Sequence, residues 1–501
     1  MEALRNLAAL PDLGPRPANQ RFFWSLMLIS LVPVVIVLPM TPPRIGVAVM
    51  GAWIALIWVV ITFLRDRVEN IALFWLACYP YCYYFLSFPH NQTLFTVDRA
   101  VIALLVAYML VASKREHLPL SSDLHLSAWL WGLYVFTCLC SLAGQPIASP
   151  FYSSCQIVLN GLILPAFLAL YTMRYFPALS NISRLHSCAC VLSIGICSIT
   201  VAELITGSDI LPWPGAAPYL LGSYVQIRRA DGPFEMPAIL SIIALLVFLL
   251  ILYLRRLLPG RLSHPAAILH VVGASAALLA AFAPLNRGLL LALIPIAVID
   301  ITSKHRLMRV SSWVLLSAVV LVCAVTAKAF YPDIYEDRTT QPDNVYQRIA
   351  QDQETLRVVA EHPFFGVGVG LYHDTVSQDA RYLARWNGIE SMNWPHNVLM
   401  TILAENGLVG LSLFISSQFF LVRAMWKIRR RHPVGWLAFL YCFLAYTLYG
   451  LDFSINYYPD VTLLYMFIVG LVFQIQGTAG ATSASNLSSS GEQLFPAVVR
   501  V

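Results

Sequence analysis

Residues 234–257 read FEMPAILSIIALLVFLLILYLRRL. After Glu235 no charged side chain occurs until the closing Arg255-Arg256 pair. A helix rises ~1.5 Å per residue, so an apolar run of about 20 residues crosses a hydrocarbon layer ~30 Å thick. Lipid offers no partner to backbone N–H and C=O groups, so such a run has to be helical. Outward from this stretch, comparable runs recur at roughly 22–40, 45–64, 70–88, 98–112, 127–143, 155–173, 187–206, 266–283, 287–301, 311–330, 396–422, 434–451 and 460–477. With 234–257 they predict an all-α, polytopic integral membrane protein with about 14 transmembrane helices. The run at 287–301 is short and is expected to be extended or tilted.

Composition agrees. Of the 501 residues, 58% are hydrophobic and 12% charged, whereas soluble domains carry about 25% charged residues. The net charge of +6 is scattered over short loops, which excludes a nucleic-acid-binding patch. The ten cysteines fall in apolar segments with no CxxC pair and read as small buried hydrophobes. The polar N-terminus runs directly into a full-length span, which reads as no cleavable signal.

The loops alternate in charge. One alternate set, from Arg5 to Arg500, holds 21 of the 32 Lys and Arg. The positive-inside rule makes that set cytoplasmic. Both termini are then inside, which requires an even number of spans and agrees with fourteen. The expected location is a membrane crossed many times, with both termini on its cytoplasmic side.

The chain divides accordingly. Residues 1–330 hold spans 1–11 with an outer loop at 207–233, residues 331–395 form a large outer loop, residues 396–477 hold spans 12–14, and residues 478–501 read as a disordered cytoplasmic tail. Long loops are disproportionately functional. The loop at 331–395 carries ten of the 26 acidic residues and is expected to form a mostly helical cap.

Four places on the outer side carry candidate chemistry. Trp394-Pro395-His396-Asn397 stands where the large loop meets a span, with Glu405, Gly407 and Gly410 further along. A histidine with a pKa near 6.5 can deprotonate a hydroxyl; the alternative is an interfacial histidine that caps the helix. Arg228-Arg229-Ala230-Asp231 precedes the eighth span, Asn286-Arg287-Gly288 opens the tenth, and Arg348 and Arg357 share a helical stretch of the loop. Arginine is the preferred phosphate ligand through its planar donor fork. Arginines on the face where positive charge is disfavoured point to a lipid pyrophosphate, against headgroup snorkelling as the plain alternative. Gly366-Val367-Gly368-Val369-Gly370 fits neither a dinucleotide nor a Walker fingerprint and reads as a tight turn or as backbone donors to an anion. Trp386, Trp394, Tyr372 and Tyr382 could stack on sugars or form an interfacial belt. No Asp-x-Asp motif stands in an outer loop to hold a divalent ion.

Four ordered blocks resemble the O-antigen ligase and polymerase family of bacterial inner-membrane proteins. Arg229-Ala230-Asp231-Gly232-Pro233-Phe234…Pro237 looks like its arginine loop before a central span. Asn286-Arg287-Gly288-Leu289-Leu290 is similar to its Ser-Arg-Ser-Gly helix start, with departures at both serines. Arg348, fifteen residues before Pro363, with the turn Gly366-Val367-Gly368, matches its long-loop motif. Pro395-His396-Asn397…Glu405-Asn406-Gly407…Gly410 matches its His-Asn signature. The blocks cover roughly 229–411.

The resemblance implies a GT-C-like glycosyltransferase acting at the periplasmic face on a glycan carried by undecaprenyl pyrophosphate. It implies no nucleotide sugar, metal or other cofactor. In that reading His396 is the catalytic base, Arg229, Arg287, Arg348 and Arg357 hold the pyrophosphate, and Asn397 and Glu405 support them. Fourteen spans favour a repeat-unit polymerase of O-antigen or exopolysaccharide, working with a flippase and a chain-length regulator. A ligase passing the glycan to lipid A core is the alternative. A transporter or flippase is more distant, because the span interiors are poor in charge, with Glu203 an exception.

Overall fold

The computed structural model describes residues 67–85, 96–111, 121–145, 149–211, 220–221, 227–258, 260, 262–330, 343–391, 395–455 and 458–492. Met1–Phe74 and Trp75–Val501 are two compact units; the first is described only from Arg67. The predicted spans at 22–40 and 45–64 lie outside the described residues. The other twelve each fall on a helix, and the chain is an all-α polytopic membrane protein.

In chain order the helices are α1 (Glu69–Phe85), α2 (Val97–Val111), α3 (Ser122–Ala143), α4 (Ser149–Gln156), α5 (Leu164–Arg174), α6 (Ile182–Thr206), α7 (Pro237–Leu257), α8 (His264–Phe282), α9 (Arg287–Thr302), α10 (Val310–Phe330), α11 (Asp343–Glu361), α12 (Tyr372–Gln378), α13 (Val398–Ile428), α14 (Pro433–Gly450) and α15 (Pro459–Glu492). Among the described residues, eight helical spans are long and apolar enough to cross a membrane. The run predicted at 155–173 is one continuous passage in which α4 and α5 are joined by a π-helical stretch, Ile157–Ile163.

Boundaries follow local chemistry. Proline opens α7, α8 and α14 in their first turns, where its missing N–H has no intrahelical acceptor to lose. Ser121 caps α3 by accepting from Leu124 N, and Gly207 ends α6 in the left-handed region. Helix α15 does not stop at Gly477 but runs to Glu492. The tail after 477, read from its Gly/Ser/Ala content as disordered, is therefore helical as far as it is described. Extending an existing helix needs no new nucleus, so weak formers can follow a strong span.

Helices α7 and α15 form the centre, buried over nearly their whole transmembrane length. Around them α3 packs on α13, α5 on α15, α8 on α6 and α7, and α9 on α14. Ser127 and Ser417 bind α3 to α13 by each donating its hydroxyl to the other's carbonyl at 2.9 Å. Such exchanges hold helices together where lipid removes the hydrophobic drive.

The large loop folds as a cap on α11 and α12, whose core holds Val358, Tyr372, Val376, Tyr382 and Ala404. It also contains a hairpin, Arg385–Trp386 with Ile389–Glu390, which the expectation of a mostly helical cap did not include. Its turn is Asn387-Gly388, both at positive φ, a pair that suits the twist of a two-residue hairpin. Leu220–Leu221 and Ile227–Arg228 pair likewise in the loop before α7.

The cap is spliced into a break in α13. Gly407 has φ 64° and ψ −167°, a backbone region essentially restricted to glycine. An unbroken helix would send the N–H groups of Leu408 and Val409 to the carbonyls of Ala404 and Glu405. Here Leu408 N donates to Pro363 O at 2.8 Å and Val409 N to Phe364 O at 3.1 Å, while Val367 N and Gly368 N donate to Ala404 O and Glu405 O at 2.9 Å. The loop thus supplies partners for the two amides and two carbonyls that these helix bonds would have paired. Gly366 (φ 68°) lies flat against the Ala404–Glu405 backbone, where a Cβ would collide.

Candidate functional site

Four segments meet at the cap end of the bundle: the turn before α9, the start of α13, the turn after α14 and the cap helix α11. Asn397 caps α13, its Oδ1 accepting from Leu399 N at 2.9 Å and Met400 N at 3.4 Å. This local demand fixes His396 just outside the helix. Ser454 ties the turn after α14 to the same segment, donating to the Pro395 carbonyl and bonding Thr401 Oγ1 at 3.1 Å. That tie seats Phe453 on His396, with ring centroids 6.2 Å apart and planes 21° from parallel; Phe453 in turn stacks on Tyr458 at 5.1 Å.

Asp452, the residue before Phe453, pairs with Arg348 of α11. Arg348 also lies close enough to His396 for its charge to act on the ring. On its other side Asp452 touches Gly288, where a Cβ would overlap its carboxylate. Gly288 is the second residue of α9, next to Arg287. Asn286 caps that helix by accepting from Gly288 N at 2.9 Å and donates to Tyr449 OH at 2.7 Å; Tyr449 donates to Ala238 O at 2.7 Å. Arg229 donates through Nε to Pro284 O at 3.0 Å and interacts electrostatically with Tyr449. Between Pro284 and Asn286, Leu285 has φ 53°, a conformation that costs a non-glycine residue roughly 1–2 kcal/mol and is held by the contacts on either side.

The fold thus brings Arg348 and Asp452 beside His396, sets Gly288 against Asp452, and connects Arg229 and Asn286 through Tyr449; Arg287 stands between Asn286 and Gly288 at the start of α9. Sequence reading missed Asp452, although an acidic residue directly after an apolar run, in Gly450-Leu451-Asp452, was a usable signal.

Other expectations are corrected. Arg357 stands nine residues from Arg348, ~13 Å along the helix. It is committed to the carbonyls of Leu383 at 2.5 Å, Arg381 at 3.3 Å and Tyr382 at 3.4 Å, so it clamps the cap instead of joining the cluster. Glu405 is 1% exposed and interacts with Tyr134 and Cys138 of α3; its place is in the α3–α13 packing. Tyr372 donates to Glu354 at 2.8 Å and Tyr382 to Glu361 at 2.6 Å, and both are buried in the cap core, which removes them as sugar-stacking rings. Trp386 is partly exposed on the hairpin; Trp394 lies outside the described residues. The glycine-rich turn spends the N–H groups of Val367 and Gly368 on α13 and that of Val369 on Ser141 Oγ at 3.2 Å, so those three do not donate to an anion.

The absence of an Asp-x-Asp motif did not foresee that the fold gathers Glu203, Asp209 and Asp231, with carboxylate oxygens within 4.8 Å of one another. Gly232 N donates to Glu203 Oε2 at 2.8 Å. Three carboxylates so close are a donor set that a hard divalent cation fits.

Burial, and secondarily the charge of Arg348, lowers the His396 pKa from 6.5 to about 4. The sign follows from both causes disfavouring the imidazolium. At neutral pH the ring is unprotonated and able to accept a proton. In the free protein, kcat/KM of any reaction that needs His396 to take a proton is therefore expected to hold level down to pH 5 and to fall as pH passes through about 4. A pH–rate profile with its acid limb at 6.5 refutes this. Asp452→Asn removes the charged partner that aims Arg348 and is expected to slow a reaction at this site about 10- to 100-fold at unchanged protein level, as displacement of a positioning group does. Equal rates for the variant and the parent refute it.

No curated protein matches the chain. Residues 272–415, which carry Arg287, Arg348, His396 and Asn397, match the family model described as O-Antigen ligase.

Proposed function

We propose that this protein is a repeat-unit polymerase that transfers a glycan from undecaprenyl pyrophosphate at the periplasmic face of the bacterial inner membrane, in O-antigen or exopolysaccharide assembly. What supports the reading is that Arg348, paired with Asp452, stands beside His396 at the start of α13, next to the turn into α9 that carries Arg287. The family match supports a role in polysaccharide assembly.

In this mechanism an acceptor hydroxyl attacks the anomeric carbon of the donor sugar. The new bond joins that oxygen to C1, and the bond from C1 to the pyrophosphate oxygen breaks. His396 takes the hydroxyl proton. The leaving polyprenyl pyrophosphate carries the electron pair away, and the arginines stabilise its charge. Preorganised positive groups of this kind are worth several kcal/mol in a site shielded from water. Arg348 first exchanges Asp452 for the incoming phosphate. With phosphate bound, its positive charge is offset and His396 becomes more basic, so the acid limb of kcat is expected at higher pH than that of kcat/KM.

A ligase is the second reading, favoured by the family model's own description; the fourteen spans expected from the sequence favour the polymerase. Gene deletion with glycan analysis separates them. Loss of the polymerase leaves products with a single repeat unit, whereas loss of a ligase strands full-length glycan on the carrier lipid. Purified protein that consumes lipid-linked oligosaccharide with no ion gradient excludes the transporter. Arg287→Lys keeps the charge but loses the donor fork; full activity in that variant removes Arg287 from the pyrophosphate site.

A further inference from the structure

The stretch Glu361-His362-Pro363-Phe364-Phe365-Gly366 changes from polar to apolar at its proline. Glu361 and His362 are exposed, and Glu361 accepts from Tyr382 OH at 2.6 Å. Phe364 and Phe365 follow at 65% and 69% exposure, among the most exposed large apolar side chains described. In water such a pair is an uncovered apolar patch. Its height along α13 decides what surrounds it.

Asp123, in the first turn of α3, pairs with Lys427 at 2.5 Å and with Arg423 at 3.8 Å near the end of α13. Charges avoid the hydrocarbon, so these three mark its edge on the side away from the cap. Val409 N donates to Phe364 O at 3.1 Å, and Val409 stands fourteen residues before Arg423 on the arm of α13 that follows the break. At ~1.5 Å per residue the Phe364 carbonyl lies ~21 Å from that edge, or ~27 Å counted from Lys427. Both fall short of the ~30 Å thickness of the layer, and any tilt of the helix brings the loop deeper. Helix α3 gives the same height independently. Cys138, fifteen residues from Asp123, donates through Sγ to Asn406 Oδ1 at 3.3 Å, which sets Asn406 ~22 Å from the edge.

We propose that residues 363–366 form a re-entrant loop covered by the acyl chains of the cap-side leaflet, with Phe364 and Phe365 anchoring the cap in lipid. Irregular backbone is tolerated at that depth only where its polar groups have partners. Here Pro363 O and Phe364 O accept from Leu408 N and Val409 N, and Gly366 N donates to His362 O at 3.2 Å; proline has no N–H to satisfy. Phenylalanine has no polar tip to hold it among headgroups, as tyrosine and tryptophan have. The patch also continues a lipid-facing wall, because Leu408, Ile415 and Phe419, at helical spacing on α13, are likewise exposed. The loop follows directly on α11, so the anchor sets the height of that helix, and of Arg348 on it, relative to the headgroups. The inference invokes no substrate and stands apart from the proposed function.

The test is fluorine NMR of the full-length protein in lipid nanodiscs, with para-trifluoromethyl-phenylalanine at position 365, where an exposed ring tolerates the added group. Relaxation of the label is measured with phosphatidylcholine bearing a nitroxide midway along its acyl chain, and separately with a water-soluble gadolinium chelate. The expected result is a severalfold faster relaxation with the nitroxide lipid and little change with the chelate. A larger response to the chelate puts the ring in water and overturns the proposal. Response to neither shows a ring covered by protein, as at a contact with a second copy of this chain, and overturns it equally. Phe364→Ser combined with Phe365→Ser tests the anchoring itself. Hydrogen exchange at the amides of Val367 and Gly368 is expected to quicken about tenfold in nanodiscs, since the burial of two rings no longer opposes opening of the loop. Unchanged exchange overturns the anchoring.

Discussion

Replacing His396 by alanine is expected to slow glycan transfer by about 10²- to 10⁴-fold, the usual contribution of a positioned general base, while the protein still inserts and folds. The two halves of that outcome have separate causes. The helix cap of α13 is Asn397, not His396, and the tie between Ser454 and the Pro395 carbonyl uses no atom of the imidazole. Alanine therefore removes only the ring and its stack on Phe453. His396→Ala protein of wild-type yield that transfers glycan at the wild-type rate overturns the base assignment. Asn397→Ala is the useful contrast: it removes the cap, which costs roughly 1 kcal/mol, and displaces His396 without deleting it. Its loss of activity is expected to be accompanied by a measurable loss of stability.

Gly407→Ala has the largest expected effect on folding. Alanine in this backbone region costs on the order of 1–3 kcal/mol. Its Cβ would also overlap the backbone of Phe364, and overpacking adds roughly 1–3 kcal/mol. The sum, about 2–6 kcal/mol, is a large part of the 5–15 kcal/mol that ordinarily holds a domain. Relief requires the loop at 363–368 to lift from α13, which breaks the four bonds that repair the helix. The measurement is thermal unfolding in detergent, with hydrogen exchange at the amides of Val367, Gly368, Leu408 and Val409. Gly388→Ala provides the control, because that glycine also has positive φ but nothing within 4 Å of its would-be Cβ. Equal stability of the two variants would show that the splice is not what holds the cap.

The charges of Arg348 and Asp452 read differently under function and under stability. Arg348 is 41% exposed, and a partly exposed ion pair adds little to folding. Its significance lies in placement: the pair sets a guanidinium between the cap and the helix starts, beside His396.

Much of the architecture was legible from sequence alone. The helix at Pro237–Leu257 follows from the uncharged apolar run between Glu235 and Arg255, and Asn397 as cap follows from its position before Val398. The cost of placing each residue in lipid and the need to pair its backbone are local properties that act over about twenty consecutive positions. Span positions, helix starts and the candidacy of His396 and the outer arginines are set by such local terms.

Membership of the site was not. Arg348 and Arg357 lie on one helix and look alike in sequence, yet one meets Asp452, 104 residues away, and the other clamps three carbonyls of the cap. Glu405 sits within a matching motif but faces α3. The splice at Gly407 and the gathering of Glu203, Asp209 and Asp231 are likewise products of packing. Contacts between distant segments depend on which helix faces meet, and hydropathy carries no record of that choice. The sequence determined by itself that this chain crosses a membrane many times and which residues are equipped for the chemistry; the tertiary structure decided which of them stand together.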